Sequence, residues 1–140
     1  MRFVLDNSVV MRWLLSDGSD ERLTYAKKVL GVLAQQDGAA LVPSIWALEA
    51  ANVMVKAQAK SLITEARCAA FVGLLHDMAF LTDPHTATYA LSDTLQLARR
   101  FKLSSYDASY LELAMREGLP LATLDGDLRS AMIQTGVALV

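Results

Sequence analysis

The chain has 140 residues, 54% of them hydrophobic, and a formal net charge of −2. That length predicts a single domain, residues 1–140, and that apolar content excludes a chain too polar to fold. The small net charge excludes a strongly basic nucleic-acid coat, so any nucleic-acid contact must use a local patch. In chain order, Phe3-Val4-Leu5 reads as a first strand and runs straight into Asp6. The acid interrupts the apolar run too early for a signal peptide. Leu23, Ala26, Leu30 and Leu33 repeat at helical spacing, with a stop at Gln36-Asp37 before Gly38. Ala40-Leu41-Val42 is a second strand. Pro43-Ser44 then opens a helix, with Ser44 as its expected N-cap. The apolar block from Ile45 to Val55 falls short of the ~18 residues of a membrane span and reads as a buried helix.

A third helix is expected over Thr64 to Met78, then a strand at Ala79-Phe80-Leu81. Asp83-Pro84 precedes a fourth helix, Thr86 to Arg100. A fifth runs from Ser104 to Glu117 and is closed by Gly118 and Pro120. Leu121 to Leu124 is a strand, a short helix follows Asp127, and Val137 to Val140 is the last strand. The strand runs are unbroken rather than alternating, which suits parallel strands covered on both faces. Strands alternating with helices predict an α/β sandwich with a mainly parallel sheet. In such sheets ligands bind beyond the carboxyl ends of the strands.

The acids lie where that edge should be. Asp6 follows the first strand, either as a cap for the helix starting near Ser8 or as a ligand. Glu49 sits in a segment with almost no solvent-facing character, where a lone buried carboxylate needs a partner or a metal. The alternative is a narrow exposed stripe shared with Asn52 and Lys56. Asp107 lies three residues after Ser104, which reads equally as a capping box or as a first-turn acid aimed at the strand edge. Asp125 and Asp127 follow the Leu121–Leu124 strand, in a turn where Asp127 would cap the last helix. Clustered carboxylates raise one another's pKa unless a cation sits among them. Hard oxygen ligands suit Mg²⁺ or Mn²⁺, and such ions activate water for phosphoryl chemistry.

Other residues point less sharply. Cys68 is the sole cysteine, so it forms no intrachain disulfide and fits a reducing, cytoplasmic compartment. His76 and His85 stand apart from each other and lack ligand spacing. Trp13 and Trp46 lie on apolar helices and read as core or interface. No Gly-rich phosphate loop is present. Arg12, Arg99, Arg100, Lys102 and Arg129 are candidates for an RNA path, against a plain solvated face.

Four stretches in order resemble the PIN domain, and most of all the toxin of VapBC-type toxin–antitoxin pairs. They are Phe3-Val4-Leu5-Asp6-Asn7-Ser8, Val42 to Val53 around Glu49, Leu103-Ser104-Ser105-Tyr106-Asp107-Ala108, and Leu121-Ala122-Thr123-Leu124-Asp125-Gly126-Asp127-Leu128. The resemblance implies a three-layer α/β/α sandwich and a metal-dependent endoribonuclease. It implies Asp6, Glu49, Asp107 and Asp125 as catalytic acids, with Asp6 and Asp107 as the direct metal ligands. Ser8 and Thr123 would support the site through hydrogen bonds, and Asp127 would be an auxiliary acid. It also implies an RNA substrate, a cognate antitoxin and a homodimer, with no membrane association.

Two further functions compete with this one. A PIN fold kept for protein binding, with little catalysis, would not need a complete acid set. An aspartate-nucleophile phosphatase would carry Asp-x-Asp after its first strand, whereas Asp6 is followed by Asn7-Ser8. Trp13, Leu14 and Leu15, with Val53, Met54 and Val55, look hard to bury at once, which favours association through helix surface.

Overall fold

The computed structural model describes residues 1–140. Its elements are β1 (Arg2–Leu5), α1 (Asn7–Leu15), α2 (Asp20–Leu33), β2 (Ala39–Val42), α3 (Trp46–Ala59), α4 (Glu65–His76) and β3 (Phe80–Thr82), followed by α5 (Thr86–Tyr89), a π-helical turn (Ala90–Thr94), α6 (Leu95–Phe101), α7 (Ser105–Glu117), β4 (Leu121–Ala122) and α8 (Gly126–Thr135). The strands lie in the order β3-β2-β1-β4. All pairings are parallel, with Val4 opposite Leu41 on one side and Leu121 on the other. Parallel neighbours need long crossovers, and here the helices supply them.

The unbroken apolar strands follow from two cores. Successive strand residues point to opposite faces. Phe3 and Leu5 enter one core with Val9, Val10, Val29 and Met54. Val4 and Leu41 enter the other with Tyr110, Leu111, Leu121 and Leu128. Helices α1 to α4 therefore cover one face and α7 and α8 the other, which is a three-layer α/β/α sandwich. Cys68 and Trp13 pack against the first core, and Trp13 Nε1 donates to the Ala26 carbonyl at 2.8 Å. No helix is long and apolar enough to cross a membrane.

Several expectations need correction. Ser44 does not cap α3. The N-cap is Ile45, without a side-chain bond, and the Ser44 amide instead donates to Thr86 Oγ1 at 2.9 Å. The long helix expected over Thr86 to Arg100 is divided by the π turn. Such a turn re-phases the faces on either side of it, so that half-buried Tyr89 and buried Thr94 both face inward. The expected last strand shrinks to one parallel bridge, Leu121 to Leu139. Helix α3 is not wholly buried: only Ala50, Met54 and Ala57 are, while Leu48 and Val55 are exposed. Of the six apolar residues expected to resist burial, Leu14 and Met54 are buried and only Val55 is widely exposed.

Candidate active site

Strand β4 is shorter than its apolar run because side chains claim the backbone that follows it. The Leu124 amide donates to Ser8 Oγ at 3.0 Å, and the Asp125 amide donates to Thr123 Oγ1 at 3.0 Å. Arg129 Nε donates to the Thr123 carbonyl at 2.8 Å, and Arg22 Nη2 donates to the Leu124 carbonyl at 3.1 Å. This loop meets the end of β1 through one carboxylate. Asp6 Oδ2 accepts from both Ser8 Oγ and Thr123 Oγ1 at 2.7 Å. Asp6 stands at the N-cap position of α1 but makes no capping bond, so its side chain belongs to the site rather than to the helix.

Glu49 reaches the same edge from the first turn of α3. Its Oε1 accepts from Tyr110 Oη at 2.6 Å, and Tyr110 is wholly buried in the core under α7. Asp107 lies in the first turn of α7, where its amide donates to the Ser104 cap at 3.0 Å. Asp125, not Asp127, caps α8: its Oδ1 accepts from the Leu128 amide at 2.8 Å.

The electrostatics link these acids. Burial raises the Asp6 pKa, the Ser8 and Thr123 hydroxyls oppose the rise, and the Asp125 charge adds to it. Burial also raises Glu49, opposed by Tyr110 and reinforced by Asp6 and Asp107. Asp107 is pushed up to about 6, first by burial and then by Asp6 and Asp125, with the Ser104 hydroxyl opposing and Asp127 adding a smaller rise. The charges that act most on these acids are thus other acids. Burial, then the charges of Glu49 and Asp6, push the Tyr110 hydroxyl well above its ordinary value, so it stays a donor.

The donors are all carboxylate oxygens, the chemistry that a hard divalent cation prefers. Asp6, Glu49 and Asp125 each use one carboxylate oxygen on a protein donor. None of their second oxygens is among the buried atoms lacking a partner. Such oxygens suit Mg²⁺ or Mn²⁺, and a cation would relieve the mutual repulsion. As the side chains stand, no three of Asp, Glu, His or Cys close around one ligand position.

The expected basic residues are placed unevenly. Arg12 pairs with Asp17. Arg99 and Arg100 end α6, and Lys102 caps it in the left-handed conformation, φ 55°. That cluster therefore stands two residues before the Ser104 cap of α7. Arg129 grips the Thr123 carbonyl and lies over the Tyr25 ring, 4.8 Å from its centroid. Sequence reasoning missed Tyr110 and Arg22. Their partners lie 61 and 102 residues away, so no local pattern could have named them.

The PIN domain family profile matches residues 3–132. Among solved structures, the crystal structure of PAE2754 from Pyrobaculum aerophilum is similar, with a TM-score of 0.62 and 23% identity. The similarity covers 100% of this chain and 92% of that one, and at that identity it speaks to the fold. No curated protein matches the chain.

Proposed function

The chain belongs to the PIN domain family, a nuclease-type fold, and we propose that it is a metal-dependent endoribonuclease hydrolysing RNA phosphodiesters. One observation carries this reading. Four acids, one after β1, one in the first turn of α3, one in the first turn of α7 and one in the β4–α8 loop, stand at the carboxyl edge of the sheet. Asp6, Glu49 and Asp125 are held there by hydroxyl and amide donors rather than by ion pairs.

Asp6 and Asp107 would hold a divalent ion, Mg²⁺ or Mn²⁺, with Glu49 and Asp125 completing the set and Asp127 as an outer acid. When bound, such an ion supplies neutralisation of phosphoryl charge and activation of water. The protein's own work is to keep the acids ionised and aimed. Ser8 and Thr123 favour the charged form of Asp6 and fix its rotamer. Tyr110 does the same for Glu49. Ser104 stabilises the turn that presents Asp107. Arg22 and Arg129 pin the carbonyls of the loop that presents Asp125. Arg99, Arg100 and Lys102 would supply positive charge for an RNA strand approaching α7.

The assay is RNA of mixed loops and stems in Mg²⁺, in Mn²⁺ and in EDTA, beside a small phosphate monoester. Cleavage in a metal that stops in EDTA is the expected result. Ester hydrolysis without RNA cleavage would favour a phosphatase, and inert protein in both metals would sink the reading.

The toxin role of a VapBC-type pair, acting in the cytoplasm, is part of the same proposal and is supported by the four ordered motifs. A short open reading frame beside the gene, whose product co-purifies and blocks cleavage, is the expected companion. A homodimer is proposed with it. Its support is an apolar groove of about 390 Å³ between α3 and α4, lined by Ala47, Ala51, Met54, Val72, Leu75 and Phe80. Sedimentation at micromolar concentration decides this: a monomer would count against it.

A further inference from the structure

A second hollow adjoins the acids. One stripe of α3, including Leu48, Glu49 and Asn52, faces Asn7 at the start of α1 and Tyr106 at the start of α7, around about 420 Å³. That lies within the ~300–1,000 Å³ range of small-ligand sites. Tyr106 is 60% exposed and Leu48 75% exposed, so a flat aromatic face and an aliphatic side chain both meet solvent. Asn7 is only 7% exposed, and its Oδ1 is buried without a hydrogen-bond partner. Asn52 presents a second amide, and it is exposed.

We propose that this pocket receives an unstacked nucleobase next to the scissile phosphate, stacked on Tyr106 and read by the Asn7 and Asn52 amides. This rests on the nuclease reading, because the pocket shares Glu49 with the acid site. Charge decides which part of a nucleotide enters. Glu49 and Asp107 repel a phosphate but not a neutral base. A base offers a π-face, which an exposed Tyr accepts whatever the sequence. It also offers donors and acceptors on its edge, which a carboxamide can match. An apolar peptide segment would cover Leu48 and Tyr106 but leave the Asn7 and Asn52 amides without partners.

The test uses fluorescein-labelled single-stranded RNA homopolymers, whose binding is followed by anisotropy, together with cleavage kinetics and Mn²⁺ titration by calorimetry. Tyr106→Ala should weaken oligonucleotide binding and raise KM about tenfold, with little change in kcat or Mn²⁺ affinity. Tyr106→Phe should bind like the parent. Asn52→Ala should flatten the differences among the homopolymers while leaving Mn²⁺ binding alone. Wild-type oligonucleotide affinity in Tyr106→Ala overturns the proposal and leaves the pocket to a protein segment. A fall in kcat at constant KM overturns it too, since Tyr106 would then act on the chemistry. If the parent binds through Tyr106 but cleaves nothing in Mg²⁺ or Mn²⁺, the nuclease reading fails and the pocket stands. If it cleaves normally and Tyr106→Ala is neutral, the reverse holds.

Discussion

Two buried aspartates at the carboxyl ends of strands, Asp83 and Asp6, anchor groups of acids built in opposite ways. Asp83 follows β3 and pairs with Arg116, whose Nη2 donates to Oδ2 at 2.7 Å and whose Nη1 donates to Oδ1 at 3.2 Å. Arg116 Nε also donates to Glu112 Oε1 at 2.7 Å, and the guanidinium lies over the Tyr89 ring. Burial works to raise the Asp83 pKa. The guanidinium, the His85 amide and the Thr86 hydroxyl together bring it below its ordinary value. Asp6, after β1, is supported by neutral hydroxyls instead, and it and its neighbours Glu49 and Asp107 are all raised. The difference lies in where the countercharge comes from. The Asp83 group carries its own cation and is complete as structure. The Asp6 group has no ion pair of its own, and under the proposed function an external cation takes that place.

The largest expected effects come from removing the centre of each group. Asp6→Asn or Asp107→Asn should reduce metal-dependent RNA cleavage on the order of 10³-fold or more, with an unchanged far-ultraviolet circular dichroism spectrum. Metal-free melting temperatures should stay level or rise, because one repelling charge is gone. Full activity in both variants would dissolve the distinction between the groups. Arg116→Ala should do the converse. It leaves Asp83 and Glu112 buried without a cation, which costs about 3–5 kcal/mol in urea denaturation, while Mn²⁺ affinity measured by calorimetry stays put. A weakened metal site with intact stability would show that Arg116 serves the chemistry after all.

The pH dependence sharpens the contrast at about 1–2 kcal/mol, a figure reduced for the partial solvent screening of Asp107. Folded Asp107 titrates near 6 against an ordinary 3.8. Between those values the folded state holds a proton that the unfolded state has released. Its contribution is therefore full below about 4 and is lost as pH rises through 6. Asp83, lowered by folding, works in the opposite sense: its contribution is present above its ordinary value and is lost on acidification. Urea midpoints of metal-free protein from pH 4 to 7 should fall relative to the Asp107→Asn variant, and millimolar Mg²⁺ should remove the difference. Parallel curves for parent and variant would contradict the raised Asp107.

The features legible in sequence are those encoded by neighbours in the chain. The strands showed as unbroken apolar runs because both sheet faces are covered, as with Phe3, Val4 and Leu5. The Ser104 cap was visible because its partner is three residues away. Other features turn on distant partners. Ser44 was expected to cap α3, but its amide is bonded to Thr86, 42 residues on. Asp127 was expected to cap the last helix, but Asp125 caps it, in a β4–α8 loop held by the distant Arg22 and by Arg129. The Arg116 network was missed because Asp83 read only as the residue before a proline. The four acids were legible as candidates through strand ends and helix starts, whereas the hydroxyl that holds Glu49 was not.

That hydroxyl provides the smallest and most discriminating test. Tyr110 is wholly enclosed, so Tyr110→Phe keeps the packing of the ring and removes only the donor to Glu49 Oε1, 2.6 Å away. If the bond were mere cement, its loss would show in stability, at about 1 kcal/mol. That cost should be small here, since Glu49 is half-buried and water can replace the donor. If the bond aims a ligand, the loss falls on the metal instead. Groups that orient ligands through a hydrogen bond commonly contribute 10–100-fold in affinity, and a half-buried glutamate beside water puts Tyr110 at the low end, about tenfold. Calorimetric Mn²⁺ titration of parent and Tyr110→Phe, beside their urea midpoints, separates the two roles. Equal Mn²⁺ affinity with reduced stability would move Tyr110 into the company of Arg116, as part of the scaffold. Weaker Mn²⁺ binding at nearly unchanged stability would extend the candidate site into the core, to a residue one turn along α7 from Asp107.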